Sequence, residues 1–350
     1  MSALPVVLVG AGQRVQGTWG PLLRGALSDR LTPVGVIGRT ESRARETADG
    51  LGLPWSLDLD AATGWGARAA VVAVSSPENA VVAGRVLDLG LPALLETPLA
   101  LDLDAARALR DRARDLPVAV AEQNPNHLGS RLIIATCRAG VIGEPLVIAT
   151  EGAGYRYHGL AVARAVLGRP RGRIATGQRV VRDDVDAGRG MAEEILVGTV
   201  RAEGGGLVQF RDAEAAWVAD GPWSRGGGRV LGTRGEFVGG SVVQWSGSVG
   251  DGARTALPVE PVETAGANPR RIGLRLMSDP PVQVTAALPE HDLSDDAQAV
   301  AACALGWLAQ LDRRATDGAW SVHDAYADLA WVEGISRSAV LGGAPITLDA

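Results

Sequence analysis

The first third of the chain alternates short apolar runs with segments of helical periodicity. Residues 5–9 are wholly apolar and end at a glycine turn, as a buried parallel strand does. A helix over about 15–25 is predicted next, followed by strand 34–37, helix 41–51, strand 69–74, helix 79–89 and strand 93–95. Strands that alternate with helices in this way predict a doubly wound, mostly parallel sheet.

The rest of the chain has a different pattern. After a predicted helix at about 128–138, alternating apolar and polar runs separated by glycine-rich turns predict half-buried strands at 179–182, 195–200, 207–210 and 237–245. Two helices follow, at about 295–311 and 322–340, and the first has a continuous apolar face. A second domain of mixed α/β type is therefore expected.

Composition narrows the class of protein. A chain of 350 residues with 46% hydrophobic and 21% charged residues fits two globular domains. Its net charge of -6 argues against nucleic acid or an anionic membrane as partner, and no apolar run approaches the roughly 18 residues that cross a bilayer. Cys137 and Cys303 belong to no metal-spaced group, so we expect neither zinc nor a disulfide framework, and a cytoplasmic protein.

The glycine turn is a candidate dinucleotide site. Gly10 and Gly12 would let the backbone approach a pyrophosphate, with Gln13 and Arg14 continuing the turn into a helix N-terminus. Val15 stands where the fingerprint has its third glycine, so a glycine turn without a dinucleotide is the competing interpretation. Ser75 and Pro77 follow another strand at its carboxyl end, where such sheets bind ligands.

The end of the second strand indicates which dinucleotide is preferred. An acidic side chain usually meets the free ribose 2'-hydroxyl there, but this chain has Arg39, Thr40 and Arg43. These groups suit a 2'-phosphate, so we expect NADP, with NAD as the other possibility. Alternatively, the arginines are solvated charges at a helix start.

The chain contains no lysine, and all 34 basic residues are arginines. Arginine keeps its proton near neutral pH and cannot serve as a general base, whereas a desolvated lysine can. Proton transfer must therefore use histidine, tyrosine, a carboxylate or water. A GC-rich coding sequence would explain the general bias.

Several short motifs, in order along nearly the whole chain, resemble the Gfo/Idh/MocA family, the glucose-fructose oxidoreductase and inositol dehydrogenase group. They are the turn at 10–14, Glu96-Thr97-Pro98, the stretches 120–124 and 139–145, His158 with 167–168, and 231–235. The resemblance implies an N-terminal Rossmann domain, residues 1–122, and a C-terminal α/β domain, residues 123–350, with a large, mostly antiparallel sheet. It also implies a small-molecule substrate and a homo-oligomer formed through that sheet.

The resemblance implies a catalytic set as well. Glu96 matches the glutamate of the usual Glu-Lys-Pro motif, Thr97 replaces its lysine, and Pro98 completes it beside the cofactor. His158 matches the catalytic histidine, with Tyr157 beside it, whereas Ala161 stands where an aspartate is often found. The loss of these two polar groups argues against alcohol oxidation of the usual kind, which needs a base.

Candidate substrate ligands surround these positions, each with a structural alternative. Tyr155, Arg156 and Arg164 would flank His158 and suit an anionic or polyhydroxy substrate, although salt bridges within the domain would use the same arginines. Asn124 follows a strand end and would contact the substrate or shape the turn. His158 and Glu96 also have structural alternatives, and Trp217, Trp223 and Trp245 would line a pocket or fill the core.

Two functions compete. The first is an NAD(P)-dependent oxidoreductase that reduces a carbonyl or imine of a sugar-like or natural-product intermediate, with the proton supplied by His158, a tyrosine or water. The second is a non-redox relative, either a lyase or isomerase using His158 and Glu96 or a catalytically silent protein that keeps the fold. The missing lysine and aspartate motivate the second.

Overall fold

The computed structural model describes residues 3–151, 155–182, 193–213, 228–247, 252–266, 268–312 and 319–348. The chain divides into two compact units, one of Met1–Asn126 with Ala287–Tyr326 and the other of His127–Ala286 with Ala327–Ala350. The expected domains were continuous, whereas the first unit also takes a segment from near the C-terminus. Hydrophobic burial explains this, because Val300 and Trp307 belong to the same core cluster as Val6.

The elements up to residue 126 all belong to the first unit. In chain order they are β1 (Leu4–Val9), a π-helical turn (Val15–Trp19), α1 (Gly20–Arg24), β2 (Leu31–Ile37), α2 (Glu41–Leu51), β3 (Trp55–Ser56), α3 (Ala61–Gly64), β4 (Ala69–Val72), α4 (Ser76–Asp88), β5 (Ala93–Leu95), α5 (Leu103–Arg112), a 3-10 turn (Ala113–Asp115), β6 (Val118–Val120) and a 3-10 turn (Asn124–Asn126).

The later described elements belong to the second unit, apart from α8, β18 and the start of α9. They are α6 (Leu128–Arg138), β7 (Pro145–Glu151), α7 (Arg156–Val166), β8 (Gly172–Arg182), β9 (Glu193–Ala202), β10 (Leu207–Ala213), β11 (Arg229–Gly232), β12 (Gly235–Val238), β13 (Ser241–Ser246), β14 (Ala253–Leu257), β15 (Val259–Glu263), β16 (Arg271–Leu276), β17 (Val282–Thr285), α8 (Asp295–Leu311), β18 (Trp320–Ser321), α9 (Val322–Val340) and β19 (Ile346–Thr347).

The first unit contains the predicted doubly wound sheet. Its strand order is β18-β6-β5-β4-β1-β2-β3, and every pair is parallel except β18 with β6. Buried apolar residues at 6–9 and 69–72 explain why β1 and β4 lie at its centre. This unit confirms the Rossmann prediction.

The second unit contains a nine-stranded sheet in the order β14-β13-β12-β11-β7-β10-β9-β8-β19. All its pairs are antiparallel except β7 with β10, which confirms the large, mostly antiparallel sheet. Helix α9 packs closely on one face of this sheet. Gly177 and Gly198 permit the close approach, because a Cβ atom at either position would collide with Ile335. A separate three-stranded sheet, β15-β16-β17, contacts α6.

One strand prediction was wrong. The run 237–245 is a hairpin of β12 and β13 rather than a single strand, with Val238 paired to Ser241. Between them Gly239 and Gly240 have φ values of 55° and 80°, the left-handed conformations that a two-residue hairpin turn uses. The predicted helix 15–25 is also divided, into the π-helical turn and α1.

Three expected absences concern the described residues only. Within those ranges no helix is both long and apolar enough to cross a bilayer, and no three His, Cys, Asp or Glu side chains are grouped to hold a metal ion. Both cysteines are buried free thiols, and burial raises the pKa of Cys137 to about 12.

Candidate functional site

A cavity of about 760 Å³ opens in the first unit at the carboxyl ends of β1, β2 and β4. Its wall includes the turn from Gly10 to Arg14, the end of β2 from Ile37 to Thr40, and side chains of α4. This is the edge of a parallel sheet where Rossmann domains bind dinucleotides. The structure thus brings Gly10, Gly12, Gln13, Arg14, Arg39, Thr40 and Ser75 together around one cavity.

The two glycines of the turn have different physical roles. Gly10 has a φ of 126°, and a Cβ atom there would collide with the carbonyl oxygen of Ala73, so only glycine fits between β1 and β4. A Cβ at Gly12 would have no atom within 4 Å. Gly12 therefore leaves open space at the wall of the cavity, where a pyrophosphate could approach the backbone.

The end of β2 presents cations and no carboxylate to the cavity. Arg39 and Arg43 are exposed there, and neither has an ion pair or hydrogen bond with another described residue. Packing explains Gly38, the residue before Arg39, because a Cβ at Gly38 would lie 2.6 Å from the Cβ of Ala44.

Sequence reasoning missed the contribution of α4. Glu78, Val82 and Arg85 line the cavity, and their spacing of four and three residues places them on one face of the helix. That periodicity was readable in the sequence, but nothing in it indicated which face of α4 meets the cavity. Pro77 does not line the cavity. It lies in the first turn of α4, where its fixed φ helps to start the helix.

Glu96 is a buried carboxylate that does not line the cavity. Its Oε1 accepts hydrogen bonds from Arg14 Nε at 2.6 Å and from Trp19 Nε1 at 2.7 Å. The Arg14 guanidinium also donates to Gln123 Oε1 at 2.5 Å, and Gln123 donates to Asp296 at 2.6 Å. The Glu96 carboxylate therefore does not reach into the cavity. It holds Arg14, which does line the cavity.

The segment around Thr97 is held by α4. The buried Asn79 side chain donates to the carbonyl oxygen of Glu96 at 2.8 Å and to that of Pro98 at 2.6 Å. The backbone N–H of Glu96 donates to Val72 of β4 at 2.8 Å. Thr97 itself is half-buried, and its peptide bond to Pro98 is cis.

Asn124 serves the turn that follows β6. Its backbone N–H and side-chain amide donate to the buried carboxylate of Glu122 at 3.0 and 3.1 Å. Asn126 donates to the Cys303 sulfur at 3.4 Å. Burial, together with the nearby charges of Glu122 and Glu96, raises the pKa of the Cys303 thiol. The two hydrogen bonds from Asn124 to Glu122 favour the turn-shaping alternative for Asn124.

In the second unit, three aromatic rings cluster at the start of α7. His158 is buried, its ring centroid lies 4.5 Å from that of Tyr157, and the Tyr155 and Tyr157 rings stack at 5.7 Å. Gly159 lets the helix pack on β7, because a Cβ there would collide with the backbone of Glu151. Ala161 is fully buried and offers no polar group.

The two arginines of α7 are occupied by carboxylates, as the salt-bridge alternative proposed. Arg156 donates to Asp212 and Glu194, both at 2.8 Å. Burial lowers the pKa of Arg156, but these two carboxylates outweigh it and raise the pKa. Arg164 is 2% exposed, pairs with Asp328 at 2.8 Å and lies over the ring of Trp331.

Of the three tryptophans singled out, Trp217 and Trp223 lie outside the described residues. Trp245 is half-buried on β13, and its Nε1 has no hydrogen-bond partner among the described residues.

Solved structures of similar fold match nearly the whole chain. An oxidoreductase from Agrobacterium radiobacter in complex with NAD+, L-tartaric acid and magnesium is 16% identical, with a TM-score of 0.71 over 99% of this chain and 98% of that one. An inositol dehydrogenase homologue from Azotobacter vinelandii, complexed with NADH and myo-inositol, is 17% identical, with a TM-score of 0.67 over 99% and 98%. GenD2 from gentamicin A biosynthesis, in complex with NAD, is 19% identical, with a TM-score of 0.68 over 100% and 97%.

At these identities the similarity shows the fold. A comparison with curated protein sequences gives no significant match. Residues 4–123 match the GFO_IDH_MocA family, described as the oxidoreductase family with an NAD-binding Rossmann fold. This match confirms the resemblance drawn from the motifs over residues 4–123, the part of the chain that forms the Rossmann fold.

Proposed function

We propose that this protein is an NADP-dependent oxidoreductase that runs as a reductase of a carbonyl or imine. The observation that carries the proposal is the dinucleotide cavity, with Arg39, Thr40 and Arg43 at the end of β2 and no carboxylate there. When bound, the reduced nicotinamide supplies the hydride. The protein must then supply a proton, which does not require the lysine that Thr97 replaces.

The cofactor preference is tested by calorimetry with NADPH and NADH. We expect NADPH to bind about tenfold more tightly or better, because a hydrogen bond to a charged group contributes about 1.5 to 3 kcal/mol and about 1.4 kcal/mol corresponds to tenfold. The double variant Arg39→Ala/Arg43→Ala should lose this preference. Arg45→Ala is the matched control, since Arg45 is a neighbouring arginine of α2 that pairs with Glu41 outside the cavity. Equal or tighter binding of NADH to the parent protein would refute the preference.

Three further residues complete the proposed chemistry. His158 is the proposed proton donor, with Tyr157 as a relay, and Tyr155 lies at the same ring cluster. The substrate class we propose is a sugar-like or natural-product intermediate. Its support is analogy of fold, since the neighbours include complexes with myo-inositol and L-tartaric acid and an enzyme of gentamicin A biosynthesis.

The side chains Thr97 and Ala161 favour a second candidate, a non-redox or catalytically silent relative, because neither can take a proton from a hydroxyl group. Purification without added cofactor, followed by mass spectrometry of any retained nucleotide, separates the two. Redox activity is then measured with a panel of sugars, ketones and imines, as the loss of NADPH absorbance in the presence of each compound. Nucleotide binding without redox activity on the whole panel favours the second candidate, and no nucleotide binding excludes the first.

Two further proposals concern assembly and location. We propose a homo-oligomer formed through the face of the nine-stranded sheet opposite α9, where Ile174, Val180 and Val197 are about 40 to 50% exposed. The two buried free thiols support a reducing compartment, such as the cytoplasm.

A further inference from the structure

The side chain of Asn79 makes a pair of hydrogen bonds that no part of the proposed function has used. It is 1% exposed in the first turn of α4, and its amide nitrogen donates to both carbonyls that flank Thr97, those of Glu96 and Pro98. Both neighbours are acceptors, so the NH2 group must be the end that faces them. The orientation of the amide is therefore fixed by chemistry.

This arrangement leaves the Asn79 side chain half satisfied. Its Oδ1 is buried and has no hydrogen-bond partner among the described residues. A buried acceptor without a partner is unfavourable, so stability alone would favour an apolar side chain or a fully bonded one at this position. The residue is better explained by what its two donors hold, which is the backbone on each side of Thr97.

Further hydrogen bonds hold Glu96, the residue before Thr97. Together with the two hydrogen bonds from Asn79, they form a frame around residue 97. The Glu96 carboxylate is held by Arg14 and Trp19, and the Glu96 N–H is held by β4. Arg14 lines the cavity, and so do Ser75 and Glu78 at the same end of α4 as Asn79. The frame therefore joins the cavity wall to the segment that carries Thr97.

We propose that Asn79 is a positioning residue, which fixes the place where residue 97 presents its side chain to the bound dinucleotide. This rests on the proposed function and on the family resemblance, which implies that residue 97 lies beside the cofactor, whereas Thr97 and Pro98 are not among the residues that line the cavity. Asn79 acts only through the backbone of residues 96–98. Its loss should therefore change the surroundings of side chain 97 more than the binding of the adenosine half of the cofactor.

The absence of lysine makes the test unusually direct. Thr97→Lys introduces a single lysine into a chain that otherwise has none, so reductive methylation with 13C-formaldehyde adds one side-chain resonance to the carbon–proton NMR spectrum. The parent protein, treated in the same way, identifies the resonance of the N-terminal amine. NADP+ is the probe, and the readout is the shift that it induces in the lysine resonance.

We expect NADP+ to shift a single, sharp resonance in Thr97→Lys, and Thr97→Lys/Asn79→Leu to lose that shift. The matched control is Thr97→Lys/Gln298→Leu, which removes another buried amide of the first unit that bonds the backbone twice, at Leu288. This control should keep the shift, although it loses comparable stability. If Asn79→Leu does not fold, Asn79→Ser, which cannot reach both carbonyls, takes its place.

Calorimetry with NADP+ on the same proteins tests the proposed function separately from the role of Asn79. Failure of the parent protein to bind NADP+ overturns the proposed function and this inference together. Binding by the parent with the same shifted resonance in the Asn79 variant overturns the inference alone. An unresponsive resonance in Thr97→Lys itself also overturns it, because residue 97 would then not face the cofactor.

Discussion

His158 is the side chain on which the proposed proton transfer depends. It is buried against Tyr157 at the start of α7, and the residue one turn later, Ala161, cannot assist it. We predict that His158→Ala lowers turnover of a substrate found in the panel by about 100-fold to 10,000-fold, the usual contribution of a positioned acid or base. NADPH affinity, measured by calorimetry, should not change.

The control for this prediction is His323→Ala, which removes an exposed histidine of α9. Its turnover should equal that of the parent protein. Unchanged turnover in His158→Ala would remove His158 from the mechanism and leave a tyrosine or water as the proton source.

Single residues also mark the limit of what the sequence could predict. The sequence placed Glu96 after a strand and Arg14 in a turn before a helix, yet their 2.6 Å hydrogen bond joins positions 82 residues apart. Local pattern carries no information about such a pair. The same limit applies to Arg164, whose partner Asp328 is 164 residues away. The positions of the candidate residues were therefore predictable, but their partners were not.

The hairpin of β12 and β13 gives a prediction at the scale of one element. A Cβ at Gly239 or Gly240 would have no atom within 4 Å, so substitution changes only the backbone energy of the turn. We predict that Gly240→Ala destabilises the protein by about 1 to 2 kcal/mol, since residues with a Cβ resist left-handed φ. Denaturant unfolding measures the difference.

Gly239→Asn is the matched variant, because asparagine tolerates the left-handed conformation and is favoured in such turns. It should unfold close to the parent midpoint. Equal destabilisation by both substitutions would show that the cost is not one of backbone conformation.

Elements were predictable where their hydrophobic pattern is strong. Strands buried on both faces, such as β1 and β4, and the helix face of α8 were found from the sequence because burial imposes a period or an unbroken apolar run. Strands β14 and β15 were missed, since most of their residues are exposed and polar and apolar positions do not alternate strictly. The hairpin turn at Gly239 and Gly240 was missed because the flanking residues continue the same apolar pattern.

At the scale of the whole molecule, one sequence forms two units with unlike sheets. The strands of the parallel sheet alternate with helices along the chain, apart from β18, and the sequence pattern shows that alternation. The mostly antiparallel sheet was expected only through the family resemblance, because alternating apolar and polar runs predict strands but do not indicate which of them pair. Physical patterning alone predicted strands there, but not their order.

The proposed assembly follows from apolar side chains that the described part of the chain leaves exposed on one face of that second sheet. Register places Ile174, Val180 and Val197 on the same face of β8 and β9, whereas Ala175, Leu196 and Val200 on the opposite face are buried. Half-exposed apolar side chains in a continuous sheet are stabilised when a second copy of the chain covers them. We therefore predict that Val197→Arg dissociates the oligomer, because the new charge would be buried at the interface.

Light scattering coupled to size-exclusion chromatography measures the change. Val340→Arg is the matched control, since Val340 is an exposed apolar side chain at the end of α9 and lies away from this face. The control should keep the mass of the parent protein, while Val197→Arg should elute at the mass of a single chain. Two outcomes contradict the proposal: a parent protein that is already monomeric, and a Val197→Arg variant that keeps the mass of the parent oligomer. Either would mean that the apolar residues of β8 and β9 remain in contact with solvent or are covered by another protein.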